Sequence, residues 1–276
     1  MAFRNLNWKN EGIDINGRKI SNLRFADDVT LISESEDELI RMIQELKVCC
    51  EKVGLHMNWK KTKIMSNSSI DSFKIDNHEV QAVKKIKFLG TMISFENREE
   101  IEISARISSA WKSFWSMKRF FVDKNLALFH KRRLMDTCVL PVFTYGAACW
   151  TFSEHSSHRL EVEQKAMERI ILNVNRSQRL RNTFISKKTK IKNVSAAAMT
   201  LKWRWAGHMA RYSKDEKRIS ADIEDWIPKT KRSKGRPVKR WKDDLVEADS
   251  IFWRRKAKNR ENWKNKEMAF IQRWIV

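Results

Sequence analysis

Apolar positions along this chain follow two different periods. Up to about residue 97 the spacing is strand-like, with short apolar runs broken by turn-forming pairs. Ile13-Asp14-Ile15-Asn16-Gly17-Arg18 predicts a hairpin, because Asn-Gly is a favoured two-residue turn. In Leu23-Arg24-Phe25-Ala26-Asp27-Asp28-Val29-Thr30-Leu31-Ile32 two acids interrupt a β-prone run where a turn is expected. Ser35 and Glu38 then have capping-box spacing, and Leu39, Met42, Ile43, Leu46, Cys50 and Val53 share one helical face ahead of Gly54, a candidate C-terminal cap. That helix is expected to pack behind the strands that carry the acids. Gly54–Met65 reads as a returning strand with a basic loop. Phe73–Val80 predicts a hairpin about Asp76-Asn77, and Ile86–Ile93 another in which Gly90 permits a sharp turn.

From Glu99 the period becomes helical. Ile103, Ile107, Ala110, Trp111, Phe114, Trp115, Met117 and Phe121 line one face, read as core rather than as a base-stacking platform. A second helix is expected from Leu126 to Leu140, interrupted by Pro141. Tyr145–Trp150 makes a turn, and an amphipathic helix follows through Leu160, Met167, Ile170, Ile171 and Val174. Beyond Asn175 the residues Arg176, Arg179, Arg181, Lys187, Lys188, Lys190 and Lys192 read as an exposed basic linker, ahead of a helix over Ala196–Ala210. Seven of the 12 tryptophans lie after residue 200 and are read mostly as anchors of a small helical domain. The predicted class is α+β: antiparallel hairpins plus one helix over residues 1–97, a helical region over 98–175, and a basic, Trp-rich, largely helical region over 176–276.

Composition adds a partner class. With 42 % hydrophobic residues the chain can build a core, and its net charge of +22 calls for a polyanion. The charge is concentrated: residues 165–276 hold 31 Lys and Arg against 12 Asp and Glu, a net +19, whereas residues 1–164 hold 25 against 22. A membrane surface is the competing polyanion, but no apolar stretch approaches spanning length. Met1–Lys9 lacks the apolar centre of a secretory signal, so an intracellular setting, nuclear or cytoplasmic, is expected. The four cysteines show no disulfide or zinc spacing, and Cys138, Cys149, His155 and His158 read as core thiols and surface histidines.

An isolated Asp-Asp pair is most often a solvated turn, yet two rigidly held carboxylates also suit a hard divalent ion. Phe25-Ala26-Asp27-Asp28 followed by Val29-x-Leu31-Ile32 resembles the catalytic hairpin of reverse transcriptases, particularly those of non-LTR retrotransposons. The resemblance implies a polymerase palm in which Asp27 and Asp28 bind Mg²⁺ or Mn²⁺ for nucleotidyl transfer. Gly54-Leu55-x-x-Asn58-x-x-Lys61-Thr62-Lys63 is similar to the next palm motif and places Lys61 near the outgoing pyrophosphate. Lys87-Phe88-Leu89-Gly90-x-x-Ile93 looks like a primer-grip hairpin, with Phe88, Leu89 and Gly90 holding the primer end. The helices from Glu99 to Leu140 resemble a thumb whose Lys131, Arg132 and Arg133 touch phosphates without reading sequence.

In the tail, Trp205-Ala206-Gly207-His208-x-Ala210-Arg211 and Gly235-Arg236-Pro237-x-x-Arg240-Trp241-x-Asp243-Asp244 are similar to the C-terminal region of endonuclease–reverse transcriptase polyproteins. So is Trp253-x-x-x-Ala257-x-x-Arg260-x-x-Trp263. Lys231, Arg232, Lys234, Arg236, Lys239 and Arg240 are candidate contacts to nucleic acid, or an import address. Asp243-Asp244 lacks apolar strand flanks and is expected to pair with basic neighbours instead of binding a catalytic metal. The family also needs an aspartate on an earlier palm strand, and only 26 residues precede Asp27. The expectation is therefore a reverse transcriptase by descent that acts on RNA and DNA template–primer but does not polymerise alone. The competing readings are a non-catalytic nucleic-acid-binding protein using the helical region and tail, and a protein scaffold presenting its tryptophans, which fits poorly with the concentrated charge.

Overall fold

The computed structural model describes residues 6–68, 71–212, 223, 226 and 239–274. They form two compact units, and the division falls between Ile86 and Lys87.

In the first unit β1 (Ile13–Ile15) and β2 (Arg18–Ile20) pair antiparallel, with Ile15 opposite Arg18. Asn16 (φ 53°) and Gly17 (φ 84°) occupy the left-handed region that a tight hairpin of this hand requires. β3 (Asn22–Phe25) and β4 (Asp28–Leu31) form the acidic hairpin, and β5 (Ser72–Ile75) and β6 (His78–Gln81) a third one, turning at Asp76 and Asn77. Helix α1 (Glu36–Glu51) starts where the capping residue was expected: the Ser35 side chain accepts a hydrogen bond from the Glu38 amide. The Glu38 carboxylate does not return to Ser35. It accepts from the Ser33 hydroxyl (2.7 Å) and the Gly12 amide (2.9 Å), which ties the helix start to the chain entering β1. At the other end Gly54 (φ 76°) lets the Leu55 amide reach Cys50 O (3.0 Å) and the Gly54 amide reach Glu51 O (3.1 Å), a Schellman closure.

Helix α1 is the common core of this unit. Met42 and Leu46 are buried with Trp8 against Val29 and Leu31, and Ile43 is buried with Phe73, Ile75 and Val80. Each such aliphatic side chain contributes roughly 1.5–3 kcal/mol by leaving water. The returning strand expected over Gly54–Met65 does not form. Asn58–Thr62 is a turn, in which the Asn58 carbonyl accepts from the amides of Lys61 and Thr62 (3.0 Å each) and the Asn58 side chain from that of Lys61 (3.2 Å). An Asn that closes its own turn outcompetes a ladder, and Lys60, Lys61 and Lys63 leave the segment no apolar alternation. Its only strand-like contact among the described residues is a single parallel bridge between Ile64 and Ala82.

The second unit contains the tip of a fourth hairpin, β7 (Lys85–Phe88) and β8 (Thr91–Ser94), and then helices. Helix α2 (Arg98–Ser116) buries Ile103, Ala110 and Phe114, and α3 (Lys118–Val122) folds Phe121 onto Phe114 with the rings parallel and 4.3 Å apart. Pro141 does not end the next helix. After α4 (Leu128–Leu134) the ladder widens to a π-turn over Met135–Val139, where the Leu140 amide bonds Met135 O, and α5 (Leu140–Phe143) carries the proline in its first turn. The π-turn takes up the missing donor and the bulk of the ring.

Helix α6 (Glu154–Leu172) follows, and the basic segment expected as a linker forms α7 (Asn182–Thr189), with Ile185 and Thr189 buried. Helix α8 (Val194–Ala210) is capped by Asn193. The tail adds α9 (Asp243–Ala248), α10 (Trp253–Ala257), α11 (Arg260–Asn265) and α12 (Glu267–Gln272). As expected, its tryptophans are mostly core: Trp203, Trp253 and Trp263 join Ile103, Phe114, Phe143, Phe152 and Leu160 in one continuous cluster. Cys138 and Cys149, expected in the core, are exposed.

Candidate active-site hairpin

The acidic hairpin turns through Ala26 and Asp27, and Asp28 is already the first residue of β4, opposite Phe25. Ala26 sits at φ 51°, a left-handed conformation that costs an L-residue roughly 1–2 kcal/mol. Alternation along the strands gives the hairpin two unlike faces. Val29 and Leu31 point toward α1 and pack on Trp8, Met42 and Leu46. On the other face Leu23, Phe25, Asp28 and Thr30 lie together, with Phe25 62 % exposed. Asp27 and Asp28 are exposed, and neither carboxylate has a hydrogen bond or ion pair among the described residues. The apolar face therefore anchors the hairpin, and the acids project from its tip without a counter-ion among the described residues.

Hard, unpaired carboxylate oxygens fit Mg²⁺ or Mn²⁺, which are commonly held by one or two carboxylates with water completing the shell. Asp27 and Asp28 would be the residues holding such an ion. Among the described residues no group of three or more His, Cys, Asp or Glu side chains converges on a metal position. Lys61 lies on the exposed Asn58–Thr62 turn, and no hydrogen bond or ion pair among the described residues joins it to the acids.

The tip of the fourth hairpin is held far more tightly. Leu89 (φ 46°) and Gly90 (φ 82°) make its turn, and both of their carbonyls are taken by side chains. The Tyr145 hydroxyl donates to Leu89 O (2.8 Å), and the Arg106 guanidinium donates to Gly90 O. Arg106 also pairs with Glu102 (2.8 Å) one turn earlier on α2 and lies over the Tyr145 ring, 5.1 Å from its centroid. Glu102 in turn accepts from the Met92 amide (2.6 Å). A Cβ at Gly90 would stand 3.0 Å from the Tyr145 ring, so glycine is needed there for both its φ and its size. Glu102 and Arg106 are both buried, and the charged pair is held by its mutual ion pair together with the Met92 amide on Glu102 and the Gly90 carbonyl on Arg106. None of Glu102, Arg106 and Tyr145 was singled out by sequence. The available signal was an i, i+4 Glu-Arg pair interrupting an otherwise apolar helical face.

The candidate phosphate contacts fall into three groups. Lys131 is buried on α4, and loss of hydration pushes its pKa below the usual lysine value against the attraction of Asp123. Arg132 pairs with Asp136 (3.6 Å), and Arg133 alone of the three is exposed. Three consecutive helical residues point in three directions, so they do not make one basic face. Lys239 is bound internally, to Asp244 and to Phe152 O (2.9 Å), with its ammonium 5.1 Å from the Trp274 ring centroid. The Arg240 amide donates to Asp243 (2.7 Å). Asp244 is fully enclosed and also pairs with Lys202, so this one of the two acids engages basic side chains. Lys231, Arg232, Lys234 and Arg236 lie outside the described residues. No described helix is long and apolar enough to cross a membrane.

Comparison with known proteins agrees with this layout. Residues 4–93, which span the acidic hairpin, α1, the lysine turn and the Leu89–Gly90 tip, match the reverse transcriptase (RNA-dependent DNA polymerase) family. An uncharacterized transposon-derived protein of Caenorhabditis elegans is 32 % identical over 282 residues, covering 94 % of this chain and 98 % of its own length. No solved structure matches. The chain belongs to the same family of transposon-derived proteins, with a reverse transcriptase segment in its first third.

Proposed function

We propose that this chain derives from the endonuclease–reverse transcriptase of a non-LTR retrotransposon, and that it grips RNA and DNA template–primer inside the cell without extending the primer by itself. The observation that carries the reading is the β3–β4 tip, where two carboxylates without partners among the described residues project from a hairpin anchored by its opposite face. In this reading residues 1–97 are palm, 98–175 thumb and connection, and 176–276 a basic C-terminal region. Asp27 and Asp28 hold Mg²⁺ or Mn²⁺ weakly, an ion that when bound activates an attacking hydroxyl and offsets phosphate charge. Lys61 serves the pyrophosphate side, Phe88, Leu89 and Gly90 the primer end, and Arg133 with the tail cations the phosphates. Phosphoryl transfer depends on alignment of the ions as much as on their charge, and the described residues bring no third acid to the pair.

Two measurements test this. Titration with Mn²⁺ followed by electron paramagnetic resonance is expected to show weak binding that disappears in Asp27→Asn/Asp28→Asn, and binding unchanged in that variant removes the metal site. Primer extension on RNA and DNA templates is expected to be absent, and extension that depends on Asp27 overturns the claim that the chain does not polymerise alone.

A second reading, a nucleic-acid-binding protein with no metal chemistry, is favoured by the net +19 carried by residues 165–276. Deleting the tail is not a clean test of it, because Trp203, Trp253 and Trp263 are core. Neutralising Lys231, Arg232, Lys234 and Arg236 to Gln is the sharper one. This reading expects salt-sensitive binding that falls in that variant and is untouched by Asp27→Asn/Asp28→Asn.

A further inference from the structure

The aromatic stripe of α2 and α3 is mostly core, but its member Trp115, expected in the core, and the adjacent Phe120 are not. Phe114 and Phe121 are stacked inside, whereas Trp115 is 45 % exposed and Phe120 41 % exposed, each adjacent in sequence to one of the buried rings. Both outward rings carry a cation. Lys118 Nζ lies 5.9 Å from the Trp115 ring centroid, and the Arg119 guanidinium 5.0 Å from that of Phe120. Lys112, one turn before Trp115, is exposed as well. Between residues 111 and 133 there are seven Lys and Arg and a single acid, Asp123. Asp123 accepts from the Asn125 amide (2.8 Å), and Glu163 is engaged with the Trp111 indole (2.7 Å).

A purely apolar partner would leave these cations desolvated and unpaired, whereas a polyanion with flat apolar rings would satisfy both kinds of group. We propose that the two exposed ring–cation pairs, Trp115 with Lys118 and Phe120 with Arg119, together with Lys112, bind single-stranded nucleic acid, with bases against the rings and phosphates on the cations. The rings supply sequence-tolerant contact because every base has a π-face, and the cations supply the salt-dependent part. A duplex hides its base faces, so these pairs favour single strands over duplex. The proposal rests on reading the chain as a nucleic-acid-binding protein, but it does not require the acidic hairpin.

The test is fluorescence anisotropy of the full chain with a labelled oligo-dT or oligo-U strand and with a blunt duplex of equal length, over a range of salt. Trp115→Ala/Phe120→Ala is expected to weaken single-strand binding by roughly 5-fold or more, as loss of even one stacked base implies, with the salt slope unchanged and duplex binding little affected. Lys118→Ala/Arg119→Ala is expected to weaken both and to lower the salt slope by about 0.7 for each single-strand phosphate no longer neutralised. Trp115→Phe, which keeps a ring, retains most of the affinity. Thermal unfolding of every variant controls for folding, and Trp115→Phe is the fallback if the double alanine variant is unstable. Its affinity must then lie between those of the wild type and Trp115→Ala. If the wild type binds duplex while the ring variants bind single strands normally, or if ring removal weakens duplex as much, this inference fails and the nucleic-acid reading stands. If the wild type binds neither, or instead captures an acidic protein, both fall.

Discussion

The Tyr145 hydroxyl donates a 2.8 Å hydrogen bond to the Leu89 carbonyl, joining positions 56 residues apart. The bond fixes a turn whose first residue has φ 46°, where a branched aliphatic side chain is strained. Tyr145→Phe keeps the ring against Gly90 and removes only the donor. The expected cost is about 0.5–1.5 kcal/mol in chemical unfolding, with faster amide exchange confined to the Leu89–Thr91 turn. An exchange pattern unchanged at the turn would show that Arg106 and Glu102 suffice to hold it.

Ala26 gives the opposite sign. It occupies φ 51° at the acidic tip, where glycine carries no steric penalty. Ala26→Gly is expected to stabilise the chain by roughly 0.5–1 kcal/mol, the left-handed penalty less the extra entropy glycine brings to the unfolded state. Asp27→Asn and Asp28→Asn change exposed side chains that have no partner among the described residues, and should move stability by less than about 0.5 kcal/mol. Circular dichroism melts of the three variants distinguish a tip built as described from one whose acids hold the fold together.

These two hairpins also mark how far the sequence could be read. Asn16-Gly17, Asp76-Asn77 and the Ser35 cap are local signals, decided within four residues, and the structure follows them. The β-prone run through Val29 and Leu31 likewise forms a strand, β4, which packs these two side chains on Trp8, Met42 and Leu46. Glu102, Arg106 and Tyr145 were illegible because their reason for being polar or aromatic is a turn elsewhere in the chain. Lys131 and Lys239 both looked like surface cations. Nothing within a few residues of Lys131 reveals that the fold encloses it, whereas the Lys239–Asp244 pair lies within the expectation that Asp243-Asp244 engages basic neighbours. Pro141 was over-read, since a π-turn one residue earlier removes the conflict that makes proline a helix breaker.

The Lys202–Asp244 pair is fully enclosed, and Lys202 also donates to Trp150 O (3.1 Å). Lys202→Met leaves the Asp244 charge buried with only Lys239, and should cost about 3–5 kcal/mol. Adding Asp244→Leu removes the stranded charge and should recover part of that loss, so the double variant is expected to be more stable than Lys202→Met alone. Urea denaturation of the two single variants and the double variant measures the coupling. Strict additivity would mean the pair contributes no mutual stabilisation.

Asp249 sets an acid-side limit. Burial raises its pKa, but hydrogen bonds from Lys266 and Lys256 outweigh burial and hold it below the reference value of 3.8. The folded chain therefore binds fewer protons at this site than the unfolded chain. The resulting stabilisation is complete above that reference value and is lost as pH falls toward the folded pKa. Asp249→Asn should lower stability at neutral pH and flatten the dependence below about pH 4, read from thermal midpoints between pH 2.5 and 7. Parallel acid limbs in wild type and variant would assign the acid sensitivity elsewhere.

Gly207 is mid-helix in α8, where propensity alone favours alanine by about 1 kcal/mol. Its surroundings reverse that expectation. Trp203 and Trp263 stack with centroids 3.6 Å apart, and each indole donates to the other's backbone carbonyl at 2.9 Å. The missing side chain of Gly207 makes room for this pair: a Cβ there would lie 2.5 Å from Cδ1 and Nε1 of Trp263. Because the Trp263 indole N–H is committed to Trp203 O, the ring cannot slide away without breaking a buried hydrogen bond. Gly207→Ala should therefore destabilise the chain by roughly 1–3 kcal/mol despite the propensity gain. Gly207→Ala combined with Trp263→Phe, which frees the ring to move, should show a smaller penalty from the alanine than the wild-type background does. An alanine that stabilises the wild-type chain would mean the indole pair is not seated against this glycine.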